Sequence, residues 1–139
     1  MKLQSNSDSE TREIGRRIGE RLKAGDVICL FGDLGAGKTT MVKGIASAFG
    51  INERDITSAS FTIIAEYDTP VPFYHIDLYR LTDDEVSELG LQEYLETDGV
   101  AVIEWAERAR DYMRDDFIKV NLSHREYNVR DIEITGMEL

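Results

Sequence analysis

Four scarcities narrow the field before any motif is read. Cys29 is the single cysteine, so a disulfide framework and a cysteine-based zinc site are both excluded, and a reducing cytosol is the expected setting. No apolar run approaches the length of a membrane span, and the N-terminus lacks the apolar centre of a signal peptide. A cytoplasmic protein with no membrane partner is therefore expected. Basic residues are outnumbered, 16 Lys and Arg against 27 Asp and Glu, which gives a formal net charge of −11. A surface of that sign does not grip nucleic acid by itself, because neutralising phosphates takes clustered Lys and Arg. Any connection with RNA should run through a partner protein. Proline occurs only at Pro70 and Pro72, where Thr69-Pro70-Val71-Pro72 reads as a hairpin turn joining two antiparallel strands.

What remains is enough for one domain: 139 residues, 42% of them hydrophobic. The acidic runs Asp83-Asp84-Glu85, Glu93 to Asp98 and Asp115-Asp116 read first as solvated surface and second as places to meet a basic protein. The most informative stretch is Gly32-Asp33-Leu34-Gly35-Ala36-Gly37-Lys38-Thr39, which follows the apolar run from Val27 to Phe31. It matches the phosphate-loop pattern in full: glycine, four residues, glycine-lysine, then a hydroxyl residue. Glycines let backbone N–H groups approach phosphate oxygens, and the helix that follows aims its positive N-terminal end at them. Lys38 would add a point charge on the β and γ phosphates, the Thr39 hydroxyl is placed for Mg²⁺, and Thr40 offers a second hydroxyl. A plain glycine-rich turn is the alternative, but the strand before and the helix-like stretch after favour phosphate binding.

Along the chain, residues 1–8 are polar and expected to be loose, and Ser7 or Ser9 should cap a helix running to about Ala24. In it Ile14, Ile18 and Leu22 recur every fourth residue, the mark of an amphipathic helix lying on a sheet. Lys38 to about Phe49 is a second helix, with Gly50 as its stop. Thr57-Ser58-Ala59-Ser60-Phe61-Thr62 carries four hydroxyls in six residues. Ser58, Ser60 and Thr62 suit a switch-like loop sensing the γ-phosphate and Mg²⁺, and equally suit a turn and strand start. Phe73 to Tyr79 is a strand in which His75 and Asp77, two apart, share a side. Asp77 then reads as a metal or water ligand, while His75 reads better as a buried histidine satisfied by a carboxylate. Leu81 to Gly90 and Leu91 to Thr97 are two short acidic helices. Gly99 to Trp105 is a buried strand delivering an acid, Glu104, to the sheet edge, as a Walker B strand does with Asp. Ala106 to Met113 is a short helix, and Phe117 to Leu122 with Val129 to Thr135 make a closing hairpin at the sheet edge. The expected fold class is α/β: a P-loop NTPase-like mixed sheet, central parallel strands with antiparallel hairpin additions, flanked by helices.

With these residues laid out, the chain resembles the bacterial TsaE family, also called YjeE, small P-loop ATPases of tRNA threonylcarbamoyladenosine synthesis. Gly32 to Thr40 reads GDLGAGKTT, very like the family's loop. His75 to Leu81 resembles its HxDLYRL segment and Ile103 to Arg108 its EWxxR segment, in the same order and spacing. One segment departs: where the family usually has TSPTF, Ala59 replaces a rigid proline and Ser60 a threonine, so this loop keeps its hydroxyl but is less pre-organised.

The resemblance implies a single P-loop ATPase domain over residues 1–139, with ATP on Gly35, Ala36, Gly37, Lys38, Thr39 and Thr40. It implies Mg²⁺ held by Thr39 and Glu104, with Asp77 acting directly or through water. Lys38, Glu104 and Asp77 would be the catalytic groups, with Glu107, Arg108 and Thr11 near the nucleotide and Trp105 either a core anchor or a contact. It further implies weak hydrolysis alone and work in a complex with the TsaB and TsaD proteins, with tRNA met only through that complex. A small-molecule kinase on the same loop is the alternative enzyme, with Arg108 and Arg110 for a lid. A module related to small GTPases is disfavoured, since Asn52-Glu53-Arg54-Asp55 does not match the guanine-reading NKxD motif.

Overall fold

The computed structural model describes residues 1–57 and 63–139. The hydroxyl-rich Ser58, Ser60 and Thr62 lie outside the described residues. The chain runs β1 (Lys2–Ser5), α1 (Asp8–Arg21), β2 (Val27–Phe31), α2 (Lys38–Ser47), a 3₁₀ turn (Glu53–Asp55), β3 (Ile64–Tyr67) and β4 (Phe73–Asp77). It continues with α3 (Asp83–Glu88), α4 (Leu91–Leu95), β5 (Val100–Glu104), a 3₁₀ helix (Ala106–Tyr112), β6 (Ile118–His124) and β7 (Arg130–Thr135).

One seven-stranded sheet has the order β1-β7-β6-β2-β5-β4-β3. Its centre, β6-β2-β5-β4, is parallel, while β3 joins β4 and β7 joins β6 antiparallel. The mixed α/β class and the two hairpins are thus as expected from the sequence. β2 and β5 sit in the middle, which explains why Val27–Leu30 and Val100–Glu104 are buried at every position rather than alternately. Side chains from α1, α2, Ile28, Leu30, Phe73, Val100 and Val102 form the core on one face. Cys29, Ile76, Ala101, Ile103, α3, α4 and the 3₁₀ helix form it on the other.

Several boundaries moved, each for a local reason. The first residues are not loose: β1 pairs antiparallel with β7, placing Leu3 opposite Ile132. Four residues with one apolar side chain carry too little alternation to show a strand, and its partner lies at the far end of the chain. Consequently β1, and not the β6–β7 hairpin, forms that edge. Helix α1 starts where Ser7 accepts a hydrogen bond from Glu10 N at 3.1 Å. It stops at Arg21, short of Ala24, because Asp26 accepts from Lys23 N at 2.8 Å and draws residues 23–26 into a turn. β4 stops at Asp77 rather than Tyr79, since the Asp77 carboxylate accepts from Tyr79 N at 3.1 Å and bends the chain. The stretch after Glu104 is a kinked 3₁₀ helix with Ala109 out of helical geometry.

Candidate functional site

The site forms where the C-terminal ends of β2, β4 and β5 meet the start of α2, the position at which open α/β sheets place ligands. Phe73, His75 and Asp77 alternate onto one face of β4, in register with Val100, Val102 and Glu104 on β5. That is the face covered by α2, so the last acid of each strand comes up beside the first turn of the helix. The chain passes from β2 to α2 through Gly32–Gly37. Gly37 caps α2 in the left-handed conformation, φ +100°, where a side chain would be strained. A Cβ on Gly32 would lie 2.5 Å from the Leu122 carbonyl, so the loop also fits against β6 only as glycine.

A small set of contacts defines the chemistry. The Thr39 hydroxyl donates to Glu104 Oε1 at 3.0 Å. His75 Nε2 donates to Glu104 Oε2 at 2.6 Å, with both side chains almost fully buried. Lys38 Nζ donates to the Gly32 carbonyl, and to that of Asp33 at 3.0 Å, and it sits 3.9 Å from the Trp105 ring centroid. Tyr79 packs on the same indole, its ring centre 4.8 Å from that of Trp105. Burial pushes the Lys38 ammonium below the ordinary lysine range, and the nearby Glu107, Glu104, Asp77 and Asp33 carboxylates recover part of that loss.

These groups surround a cavity of about 450 Å³ lined by Gly35, Gly37, Lys38, Thr39, Thr40, Asp77 and Glu104. These seven, all singled out in the sequence, are therefore brought together, and Trp105, left open there between a core anchor and a contact, lines the cavity beside them. Ala36 is buried beneath the loop and can contribute only through its backbone. Glu107 lies under the loop, its carboxylate accepting from Gly32 N at 3.0 Å. Two residues are elsewhere. Arg108 turns away to donate to the Leu81 carbonyl at 3.1 Å, and the buried Thr11 hydroxyl pairs with Ser5 Oγ at 2.7 Å. Asp8, one turn earlier on α1, lines the cavity instead, as do Leu34, Tyr79 and Arg130. Arg130 comes from the start of β7 and packs against Gly37, with its Nε buried and unpartnered among the described residues. No local pattern announces it, because the β6–β7 hairpin alone carries it back over the loop.

The donor set suits two ligands. Backbone N–H groups at a helix N-terminus, with a lysine, match a phosphate chain. A threonine hydroxyl with two carboxylates is a hard oxygen set of the kind Mg²⁺ takes. His75, Asp77 and Glu104 offer ligand atoms that all lie within 4.8 Å of one another.

A family model described as threonylcarbamoyl adenosine biosynthesis protein TsaE matches residues 5–132. The chain belongs to the TsaE family. Among its relatives, the tRNA threonylcarbamoyladenosine biosynthesis protein TsaE of Bacillus subtilis is 38% identical over 138 residues, covering 99% of this chain and 86% of the relative. The protein of that name from a Nostoc species is 45% identical over 130 residues, covering 90% and 79%. The crystal structure of Bacillus subtilis YdiB superposes with a TM-score of 0.78 at 37% identity, over 95% of this chain and 82% of that one. The phosphate loop of this TsaE-family chain thus sits in a P-loop NTPase-like fold. Among the described residues, no helix is long and apolar enough to cross a membrane.

Proposed function

We propose that this TsaE-family chain, one P-loop domain over residues 1–139 acting in the cytoplasm, is a Mg²⁺-dependent ATPase. It serves a complex with TsaB and TsaD that makes N6-threonylcarbamoyladenosine in tRNAs reading codons that start with A. The observation that carries the reading is the pairing of Thr39 with Glu104 at 3.0 Å, directly beside Lys38 and the glycine loop. It joins a phosphate cradle to an oxygen-donor metal set, and the names of the relatives supply the pathway.

In this reading the backbone N–H groups from Gly35 to Lys38 hold the phosphates. Lys38 exchanges its bonds to the Gly32 and Asp33 carbonyls for bonds to phosphate oxygens, while the Trp105 face keeps the ammonium aimed into the cavity. Thr39 and Glu104, with Asp77 directly or through water, would hold Mg²⁺. When bound, the ion would neutralise charge on the transferred phosphoryl group. Glu104 or Asp77 then orients the attacking water. The acidic surface fits contact with protein rather than RNA.

The test is ADP release from Mg-ATP by the purified protein, alone and with TsaB and TsaD. Slow release that rises with the partners is expected. Lys38→Ala should abolish it with the fold kept, and Glu104→Gln should lower it more than tenfold, over about 1.4 kcal/mol of transition-state stabilisation. ATP binding without any partner effect would overturn the pathway assignment, and unchanged turnover in Glu104→Gln would overturn that residue's role.

A further inference from the structure

Glu104 has two oxygens and both are engaged: Oε1 with the Thr39 hydroxyl at 3.0 Å, Oε2 with His75 Nε2 at 2.6 Å. The carboxylate is thereby held between the helix that bears the phosphate loop and the neighbouring strand. We infer that His75 is a positioning residue that sets the orientation of the Glu104 carboxylate for the metal. The inference rests on the Mg-ATP reading of the site.

The geometry favours this over a histidine that merely fills the core. His75 lies on β4 opposite Val102, one rung behind the Asp77–Glu104 pair, so its ring reaches diagonally forward to Glu104 rather than to Asp77 on its own strand. Both partners are nearly dry, His75 at 4% and Glu104 at 2% exposure. An ionised carboxylate only accepts hydrogen bonds, so a buried Glu104 without His75 would keep one oxygen unsatisfied and free to turn toward the Lys38 ammonium. Turning would carry Oε1 away from the Thr39 hydroxyl it now meets at 3.0 Å. A ligand role for His75 is disfavoured by the same bond, because Nε2 would have to release Glu104 before it could reach an ion. Donors that orient a ligating carboxylate from behind are a recognised means of tuning metal affinity.

The experiment titrates Mg²⁺ into the protein with a fluorescent ADP analogue and follows nucleotide binding, with thermal melting to check the fold. For His75→Leu the half-saturating Mg²⁺ concentration should rise about 10- to 100-fold, while affinity for the analogue without Mg²⁺ stays within about twofold. His75→Gln, whose amide can donate to the same oxygen, should restore the Mg²⁺ response to within about threefold of the parent. Should His75→Leu fail to fold, His75→Asn replaces it: its shorter amide stops before Glu104, and the same rise is expected. A parent-like Mg²⁺ response in the leucine or asparagine variant overturns the inference. So does a His75→Gln protein that loses Mn²⁺ affinity more steeply than Mg²⁺ affinity, since that marks a nitrogen ligand. A parent protein that binds the analogue equally well with and without Mg²⁺ overturns the Mg-ATP reading and this inference with it, and is told apart by failing before any substitution.

Discussion

Lys38 shows most directly how one residue's surroundings set its chemistry. The phosphate-loop pattern placed it, but its present partners are two carbonyls of its own loop and an indole face. Burial disfavours its charged form, and nearby carboxylates offset only part of the effect. The folded state therefore gives up this proton at a lower pH than the unfolded chain, whose lysine keeps the ordinary value of 10.5. Across that interval the unfolded state holds more protons, so stability from this group rises with pH. Urea unfolding of the nucleotide-free parent and of Lys38→Met, near pH 7 and near pH 10, should show the parent gaining on the variant as pH rises. A difference independent of pH would remove desolvation as the cause. Arg130, by contrast, could not be read from its neighbours, because its place beside Gly37 depends on a hairpin folding back.

At the scale of elements, α1 and α2 approach backbone to backbone through glycines. A Cβ on Gly44 would lie 2.1 Å from the Arg12 carbonyl, and one on Gly15 would lie 2.5 Å from that of Met41. Helix propensity alone argues against glycine at both places. The repeat of Ile14, Ile18 and Leu22 showed which face of α1 is buried, yet it could not show that its partner comes close enough to exclude a methyl group. Gly44→Ala should therefore destabilise the protein by roughly 2 kcal/mol or more despite its better helix propensity, as measured by urea unfolding. A neutral or stabilising result would mean that the helices part easily. The same helix carries Lys38 and Thr39 at its start, so the packing of α1 on α2 also decides how Thr39 meets Glu104.

For the whole molecule, the phosphate loop, both acidic strand ends, α1 through Asp8 and β7 through Arg130 converge on one cavity. A ligand bound there touches elements from both ends of the chain and should stabilise them together. At a Mg-ADP concentration 100 times its dissociation constant, linkage predicts about 2.7 kcal/mol of added stability, a rise of several degrees in melting temperature. Lys38→Ala should lose most of that rise, as read by calorimetry. An equal rise in the variant would place the nucleotide somewhere other than on this loop.

The sequence by itself determined what is local. The run GDLGAGKTT needs only its own glycines and the helix after it, and a buried strand ending in an acid identifies Glu104, since both signals lie within a few residues. Continuous apolar runs likewise located the central strands, and the recurrence of Ile14, Ile18 and Leu22 located the buried face of α1, because burial imposes its pattern on neighbouring positions. Only the tertiary structure decided which of these pieces meet. Thr39 and Glu104 are 65 residues apart, and His75 and Glu104 are 29 apart. Strand order and register, rather than spacing along the chain, gave His75 the carboxylate of the next strand instead of Asp77 two residues on. They also drew the polar N-terminus into the sheet as β1 and turned Arg108 and Thr11 away from the cavity. The physical reason is that a backbone ladder pairs whichever strand the packed helices leave beside it, and that choice is made by the summed burial of the core rather than by any single residue.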